Sequence, residues 1–464
     1  MRFSLNGRPV VAADLPPTTT LLQFLREHQG ATGTKEGCAE GDCGACTVAL
    51  LDGSRWRAVD SCLVLLPQVD GAEIVTAEGL GKDHPVAHAI VDRLASQCGY
   101  CTPGVAMSLF EACHRADLDA DWKLDDQLCG NLCRCTGYRP IRDAAVDLAG
   151  QCPADGYGGR VAAAPAAVAY EGGGGTFVAP TTLDGVWDAL EGGAKIVAGA
   201  TDLGLDVNKK HATWPALVGL DRVAALRQLV DGDPVEIGAG APLADVEAWS
   251  LTALPPLARM LRYFGSRQIK HRGTLGGNLC TASPIGDTAP VLLALDATII
   301  AASRAGERAI GIDDFFVGYR TTALRPDEIL ARVQIPKPPA DARIGVYKVS
   351  RRREMDISAV SGAFVVRVVD DVVVAARFAF GGLAATPKRA AGLEAALLGR
   401  AWTRDAIEAA LPALAADFTP LDDHRASAWY RTTVAANLVR GFFDETAEAP
   451  FRALPDRPLS TFVG

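Results

Sequence analysis

Nothing in the 464 residues is long and apolar enough to cross a membrane. The most apolar later stretch, 360–380, is broken by Arg367, Asp370, Asp371 and Arg377, charges that hydrocarbon accepts only at high cost. The N-terminus, MRFSLNGRPV, lacks an apolar run behind a basic start, so no secretory leader is expected and the setting reads as cytoplasmic. Positive charge is not in excess: 46 Lys plus Arg against 55 Asp plus Glu leave −9. That balance offers no electrostatic case for binding a phosphate backbone, and nucleic acid is not an expected partner. No self-similarity recurs at a period of about 20 to 50 residues, which excludes a solenoid or propeller. A complete dinucleotide fingerprint is also missing. In Gly238-Ala239-Gly240-Ala241-Pro242-Leu243 a Leu stands where the third Gly should be and Pro242 interrupts the turn, so the segment reads as the end of a strand. Cysteine, finally, is almost absent from the last two thirds: of 12, only Cys280 lies beyond residue 152.

What is present argues for several domains. At about 150 residues per domain the length suggests about three, and 49% hydrophobic with 22% charged residues is the balance of a folded globular chain. Eleven cysteines crowd residues 38–152. In a reducing compartment such a density points to a soft metal, because disulfide frameworks serve chains too short to bury a core. Residues 153–175, rich in Pro, Gly and Ala without period, read as a linker that includes Gly172 to Gly175.

The first cysteine group is Cys38, Cys43 and Cys46 in GCAEGDCGACTV, followed by Cys62. The spacing C-x4-C-x2-C…C is the plant-ferredoxin pattern for four thiolates on a [2Fe–2S] cluster, whereas zinc prefers paired C-x2-C units. Gly37, Gly41 and Gly44 let the backbone wrap and aim amides at sulfur. Ahead of them, 2–5, Asn6-Gly7 and 10–12 read as a hairpin with a type I′ turn. The second group is Cys98-Gly99-Tyr100-Cys101, then Cys133-Arg134-Cys135. Thr102 and Pro103 read as N-cap and first residue of a helix, and Thr136-Gly137 precede a helical stretch at 141–149. Both pairs thus sit where helix dipoles favour thiolates. A redox dithiol is the alternative for Cys98 and Cys101, but no β-α-β context surrounds them. Cys129 competes as a ligand on spacing alone; Cys113, Cys152 and Cys280 read as ordinary thiols.

In the second half, 194–198, 216–220 and 235–237 read as strands and 243–248 as a helix, an α/β pattern. From about 345 the sequence turns to β-rich runs at 363–369 and 372–381, then Ala-rich helices around 389–415 and 426–443. Lys195 to Leu203 reads as a strand ending at Gly199, with Thr201-Asp202 placed to cap a helix and present amides to a phosphate. In RGTLGGNLCTASPIGD, paired glycines and the neutral donors Thr274, Asn278 and Ser283 suit a pyrophosphate; a structural turn between strands is the alternative.

The motifs GCAEGDCGACTV, QCGYCTPG and CGNLCRCTGYRP together resemble the iron–sulfur part of the molybdenum hydroxylases, the xanthine dehydrogenase and aldehyde oxidase family. The resemblance implies a multidomain α+β chain: a β-grasp plant-type ferredoxin domain (1–78), a helical [2Fe–2S] domain (79–152), the linker (153–175), a non-Rossmann α/β FAD-binding domain (176–342) and a C-terminal subdomain of antiparallel sheet plus helices (343–464). It implies that Cys38, Cys43, Cys46 and Cys62 hold one cluster and Cys98, Cys101, Cys133 and Cys135 the other. It places FAD on Ile196, Val197, Ala198, Gly199, Ala200, Thr201, Asp202 and Leu203, and on Thr274, Leu275, Gly276, Gly277 and Asn278. Asp287 would accept from FAD hydroxyls, Phe264 would lie against the isoalloxazine, and Leu330 and Lys348 would also touch the flavin. On residue type alone Phe264 and Leu330 read as core, and Lys348, at the head of KVSRRREMD, as part of a solvated face. Met355 stands before Asp356 where adjacent acidic residues are common in the family.

With no long segment left after the flavin region, the resemblance implies that molybdopterin sits on a larger partner chain, with two small and two large chains in a heterotetramer. Fusion of iron–sulfur and flavin parts favours the type that oxidises hypoxanthine and xanthine to urate, with NAD as acceptor and no catalytic base in this chain. A small subunit of the aldehyde oxidoreductase type and a stand-alone iron–sulfur flavoprotein carrier are the alternatives.

Overall fold

The computed structural model describes residues 1–151 and 155–447. Cys152, the first two residues of the expected linker and the end of the expected C-terminal subdomain, 448–464, lie outside the described residues. The described residues divide into two compact units: Met1–Ala224 with Gly265–Gly273, and Ala225–Phe264 with 274–447.

In the first unit Arg2–Leu5 and Arg8–Val11 form the expected hairpin. Asn6 and Gly7 both take positive φ, 52° and 77°, as a type I′ turn requires. They join a five-stranded sheet in the order Arg8–Val11, Arg2–Leu5, Glu73–Val75, Thr47–Asp52, Arg55–Asp60, with one parallel pair. The helical turns Leu21–Gln23 and Phe24–His28 bury Leu21, Phe24 and Leu25 against Phe3, Val48 and Ile74. Four helices follow: Pro85–Asp92, Thr102–Cys113, Asp121–Leu128 and Arg139–Leu148. Met107, Leu109 and Phe110 are fully buried at their centre. A four-stranded sheet, in the order Val168–Gly172, Gly175–Ala179, Ala216–Gly219, Lys195–Val197, completes the unit with helices Leu183–Glu191 and Leu203–Lys210.

The linker reading is corrected in two places. Gly172 to Gly175 are a β-hairpin turn: Gly172 pairs with Gly175 while Gly173 and Gly174 take φ of 54° and 81°. The four-glycine run supplies left-handed backbone that side chains resist. Upstream, Asp155 accepts from His84 and His114 at 3.1 and 3.0 Å, and the Tyr157 carbonyl accepts from Trp56 Nε1 at 3.0 Å, so this stretch is packed.

The second unit carries an antiparallel sheet in the order Leu229–Val230, Val235–Gly238, Ile329–Ile335, Thr298–Ser303, Gly306–Gly311. Helices Leu243–Ala253, Pro255–Leu261 and Thr288–Ala294 share its core. A second antiparallel sheet orders Arg343–Val349, Val360–Val369, Val372–Gly381 and Lys388–Arg389. Its Phe364 is ringed by Phe378, Phe380, Phe442 and Tyr347, with helices Ala391–Leu397, Arg404–Asp417 and Ala428–Thr446 beside it. The architecture is multidomain α+β. Among the described residues no helix is long and apolar enough to cross a membrane.

Candidate functional site

The first set of sulfurs lies on the loop before strand Thr47–Asp52 and just after strand Arg55–Asp60. Ala39, Gly41 and Gly44 are left-handed there, at φ 54°, 77° and 65°. This winding aims the amides of Glu40, Asp42 and Cys43 at Cys38 Sγ, at 3.4, 3.3 and 3.4 Å. The Cys43 thiol and these amides pull Cys38 down to about 5 against its burial. A Cβ on Gly37 would stand 2.8 Å from Cys43 Sγ, and one on Gly44 2.1 Å from the Gly130 carbonyl, so neither position has room for a side chain. Cys46 Sγ lies 3.4 Å from Cys62 Sγ and 3.5 Å from Asp60 Oδ1. The Cys62 thiol and burial push Cys46 up, and burial pushes Asp60 up to about 8. Leu22 and Leu63 enclose the Cys46–Cys62 pair.

The second set stands at two helix starts. Cys101 occupies the N-cap position of Thr102–Cys113 in helical backbone conformation, and Thr102 is the first helical residue. The expectation that Thr102 caps is therefore corrected: its hydroxyl pairs with Ser96 Oγ at 2.7 Å. Cys133 and Cys135 precede Arg139–Leu148, whose N-cap Tyr138 is left-handed. The thiols pair as Cys98 with Cys135 and Cys101 with Cys133. Burial, with Cys133 beside it, pushes Cys101 up to about 12. For Cys133, burial is outweighed by the Thr136 hydroxyl, 3.1 Å away, and by amides, and the thiol is lowered. Cys98 and Cys135 are exposed, while Cys101 and Cys133 are buried. Cys129 instead directs its thiol at the Asp126 carbonyl, 3.3 Å away. The two loops meet: the Leu132 amide donates to the Cys43 carbonyl at 3.0 Å, and Tyr100 Oη to the Glu36 carbonyl at 2.5 Å.

Among the described residues no three His, Cys, Asp or Glu side chains are gathered to hold a single metal ion. A [2Fe–2S] cluster asks for something different, two thiolates on each of two irons. Each set supplies two sulfur pairs, and the donor chemistry fits.

Of the flavin candidates, Ile196 and Val197 end strand Lys195–Val197 in the first unit, and Ala198 to Asp202 turn into helix Leu203–Lys210. A Cβ on Gly199 would stand 1.8 Å from the Arg272 carbonyl, and Ala200 is left-handed at φ 64°. Gln68 Nε2 holds the Ala198 carbonyl at 3.0 Å. Asp202 takes the N-cap position without a side-chain capping bond, so neither it nor Thr201 supplies the expected cap.

In the second unit Thr274 Oγ1 accepts from the Gly277 amide at 3.0 Å and opens helix Leu275–Cys280. The glycine pair is explained by packing. A Cβ on Gly276 would stand 2.6 Å from Ala239 Cβ, and one on Gly277 2.9 Å from Thr274 Oγ1. Packing thus requires both glycines, and the alternative of a turn between strands is corrected, since the segment is helical. Asn278 Oδ1 accepts from Thr288 Oγ1 at 2.5 Å. Asp287 and Lys348 meet at 2.8 Å with side chains 6% and 5% exposed, which overturns the solvated-face reading of Lys348. Ser358 donates to the other Asp287 oxygen at 2.5 Å, and Lys348 Nζ to the Tyr263 carbonyl at 2.9 Å. Leu330 is buried in the sheet core, and Phe264 is half-buried against it. In each unit amides and neutral donors dominate, and Lys348 offsets the Asp287 charge, which suits a phosphate-bearing cofactor.

Sequence reasoning missed Asp60, Asn131 and the buried side chains of 266–271. Isolated polar residues at these positions carry no spacing signal.

Four families match in succession: the 2Fe-2S iron-sulfur cluster binding domain over residues 3–71, the [2Fe-2S] binding domain over 76–146, the FAD binding domain in molybdopterin dehydrogenase over 170–338, and the CO dehydrogenase flavoprotein C-terminal domain over 345–446. A xanthine dehydrogenase of Emericella nidulans is 33% identical over 90% of this chain, the xanthine dehydrogenase/oxidase of Rattus norvegicus 31% over 89%, and a nicotinate hydroxylase of Emericella nidulans 29% over 96%. The chain spans 36%, 36% and 40% of these relatives' lengths. Among solved structures, a carbon monoxide dehydrogenase chain from Hydrogenophaga pseudoflava superposes with TM-score 0.55 at 29% identity, covering 57% of this chain and 94% of that one. A quinoline 2-oxidoreductase chain from Pseudomonas putida 86 does so with TM-score 0.54 at 26% identity, covering 58% and 95%.

Proposed function

The iron–sulfur and flavin domains of this chain fit the electron-transfer part of a molybdenum hydroxylase, and on that premise we propose that it serves the oxidation of hypoxanthine and xanthine to urate with NAD as acceptor. In balance, xanthine, water and NAD+ give urate, NADH and a proton. Molybdopterin is placed on a larger partner chain, two of each forming a heterotetramer, in the cytoplasm. Support for the substrate comes from relatives named for xanthine at 33% and 31% identity.

Cys38, Cys43, Cys46 and Cys62 would hold one [2Fe–2S] cluster, and Cys98, Cys101, Cys133 and Cys135 the other. Bound there, the clusters would supply one-electron chemistry and the flavin the step from single electrons to hydride. The chain's own residues bind and orient. Three amides aimed at Cys38 Sγ stabilise a thiolate, as the Thr136 hydroxyl does for Cys133. Leu22 and Leu63 exclude water from Cys46 and Cys62. The turn at 196–203 and the helix start at 274–278 would meet the flavin's phosphates, Phe264 and Leu330 its ring system, and Asp287 with Lys348 its polar edge.

The observation that carries the reading is the resolution of eight sulfurs into two sets of two pairs. The test is purification of the native complex with iron, sulfide, flavin and molybdenum analysis, and xanthine turnover with NAD or oxygen. In Cys133→Ser, xanthine-to-NAD turnover is expected to vanish while FAD stays bound; normal turnover with an unchanged cluster spectrum refutes the assignment. A molybdenum-free, fully active protein would favour a stand-alone carrier. A second reading, a different heterocycle as substrate, draws on the nicotinate hydroxylase match over 96% of the chain. Flavin bleaching by nicotinate and not by xanthine would select it.

A further inference from the structure

Asn131 lies between Cys129 and Cys133 in the first unit and is 3% exposed. Its side-chain amide is bonded at both ends. Nδ2 donates to the Gly44 carbonyl at 3.1 Å and to Thr47 Oγ1 at 3.3 Å. Oδ1 accepts from Ser108 Oγ at 2.6 Å and from Gln268 Nε2 at 3.1 Å. The neighbours fix which end faces which way. Thr47 gives its hydroxyl proton to the Gly44 carbonyl at 2.7 Å, so Thr47 Oγ1 and that carbonyl can only accept from Asn131, and the amide nitrogen must face them.

This amide sits where the two cysteine loops touch. Gly44 lies between Cys43 and Cys46, and the Leu132 amide donates to the Cys43 carbonyl at 3.0 Å. A Cβ on Gly44 would stand 2.1 Å from the Gly130 carbonyl and 2.7 Å from Asn131 Nδ2, and one on Gly130 2.1 Å from Gln268 Oε1. From the other side Gly104, three residues after Cys101, comes so close that its Cβ would stand 2.1 Å from the Gly44 carbonyl oxygen. Loops packed backbone to backbone can still pivot about the single bond between Leu132 and Cys43. The bonds of Asn131 to Gly44 and Thr47 add a second point of attachment, and its bond to Ser108 ties that point to helix Thr102–Cys113, which starts at Cys101. A buried amide with all its partners in place has one orientation, because any other leaves donors and acceptors unmade out of water.

We propose that Asn131 is a positioning residue that locks the loop of Cys43 and Cys46 against the loop of Cys133 and the helix start at Cys101, and so sets the placement of the two iron–sulfur clusters relative to each other without ligating either. This rests on the cluster reading above. An electron that leaves one cluster and reduces the other crosses a gap whose width the ligands alone do not fix.

A reduced [2Fe–2S] cluster carries an unpaired electron, and the dipolar coupling between two such spins falls with the cube of their separation. Low-temperature electron paramagnetic resonance of the full chain, loaded with both clusters and reduced with dithionite, therefore reads their relative placement, and a resolved splitting is expected. Asn131→Leu keeps the side-chain size and removes all four bonds; in a fully loaded sample the resolved splitting should be lost. Ser108→Ala removes only the 2.6 Å donor, from within a helix, and should keep its iron and sulfide while the splitting diminishes. An unchanged splitting in loaded Asn131→Leu overturns the proposal, as do two loaded clusters without splitting in the unaltered chain. If Asn131→Leu takes up no iron, Ser108→Ala decides: a diminished splitting supports the lock, and an unchanged one overturns it, since Asn131 would then serve folding alone. An unaltered chain that carries fewer than two clusters would instead bring down the cluster reading itself.

Discussion

A missing Cβ can matter more than a side chain. At Gly44 the backbone is left-handed at φ 65°, and an added Cβ would lie 2.1 Å from the Gly130 carbonyl, a backbone atom that cannot swing aside. Left-handed strain and overlap together cost about 2–5 kcal/mol. Gly44→Ala is therefore expected to lower the melting temperature and to lose the iron of the neighbouring set; full iron content at an unchanged melting temperature would contradict this. Cys129 shows the opposite case, a residue that spacing makes a competitor. Its thiol points at the Asp126 carbonyl, while Cys98, Cys101, Cys133 and Cys135 pair among themselves. Cys129→Ser should keep both clusters by iron analysis and electron paramagnetic resonance, and loss of either would return Cys129 to the ligand set.

Between elements, ion pairs do the joining, and their sign with pH can be worked out. Burial lowers His271 to about 3, with Glu111 opposing and Arg267 and Arg57 reinforcing the shift. An unfolded His titrates near 6.5. Between those values the unfolded chain takes a proton that the folded one refuses, so stability falls as pH drops below about 6.5, by at most about 1.4 kcal/mol per pH unit. Glu111 and Asp126 add to this at lower pH. Burial would raise them, but Arg267 and Lys270 hold them to about 2, so their stabilisation is present above about pH 4 and is lost as pH falls through 2. Thermal unfolding between pH 7 and 5 should show the decline, and His271→Asn should flatten it; a flat profile for the unaltered chain would refute the assignment. Asp287, at the start of Thr288–Ala294, and Lys348, on Arg343–Val349, form a second buried pair. Lys348→Met strands the carboxylate and should cost about 3–5 kcal/mol in urea unfolding, most of it regained in the double variant with Asp287→Asn.

For the whole chain, two clusters and one flavin predict about four irons and four sulfides per FAD; half that iron in a fully loaded sample would remove one of the sulfur sets. Much of the architecture was readable because its signals are local. Asn6-Gly7 between two β-rich runs specifies a hairpin, and β-rich runs specify the strands read at 363–369 and 372–381, the first of which begins at Val360. Thr102 was misread because capping is decided by the backbone of Cys101 and by Ser96, neither of which residue type announces. Gly172 to Gly175 were misread because a glycine run says only that left-handed backbone is permitted, not whether a strand follows. The half-buried Arg267 and the buried Gln268, Lys270 and His271 gave no warning, since their partners Glu111, Asp126, Thr47 and Asn131 lie more than a hundred residues away. By itself the sequence determined which cysteines are available and at what intervals, because loop ligation is a matter of short-range spacing and glycine freedom. Only the tertiary structure decided which sulfurs pair, which cysteine turns away and which carboxylates find a cation, because burial and long-range packing choose among partners that spacing leaves equivalent.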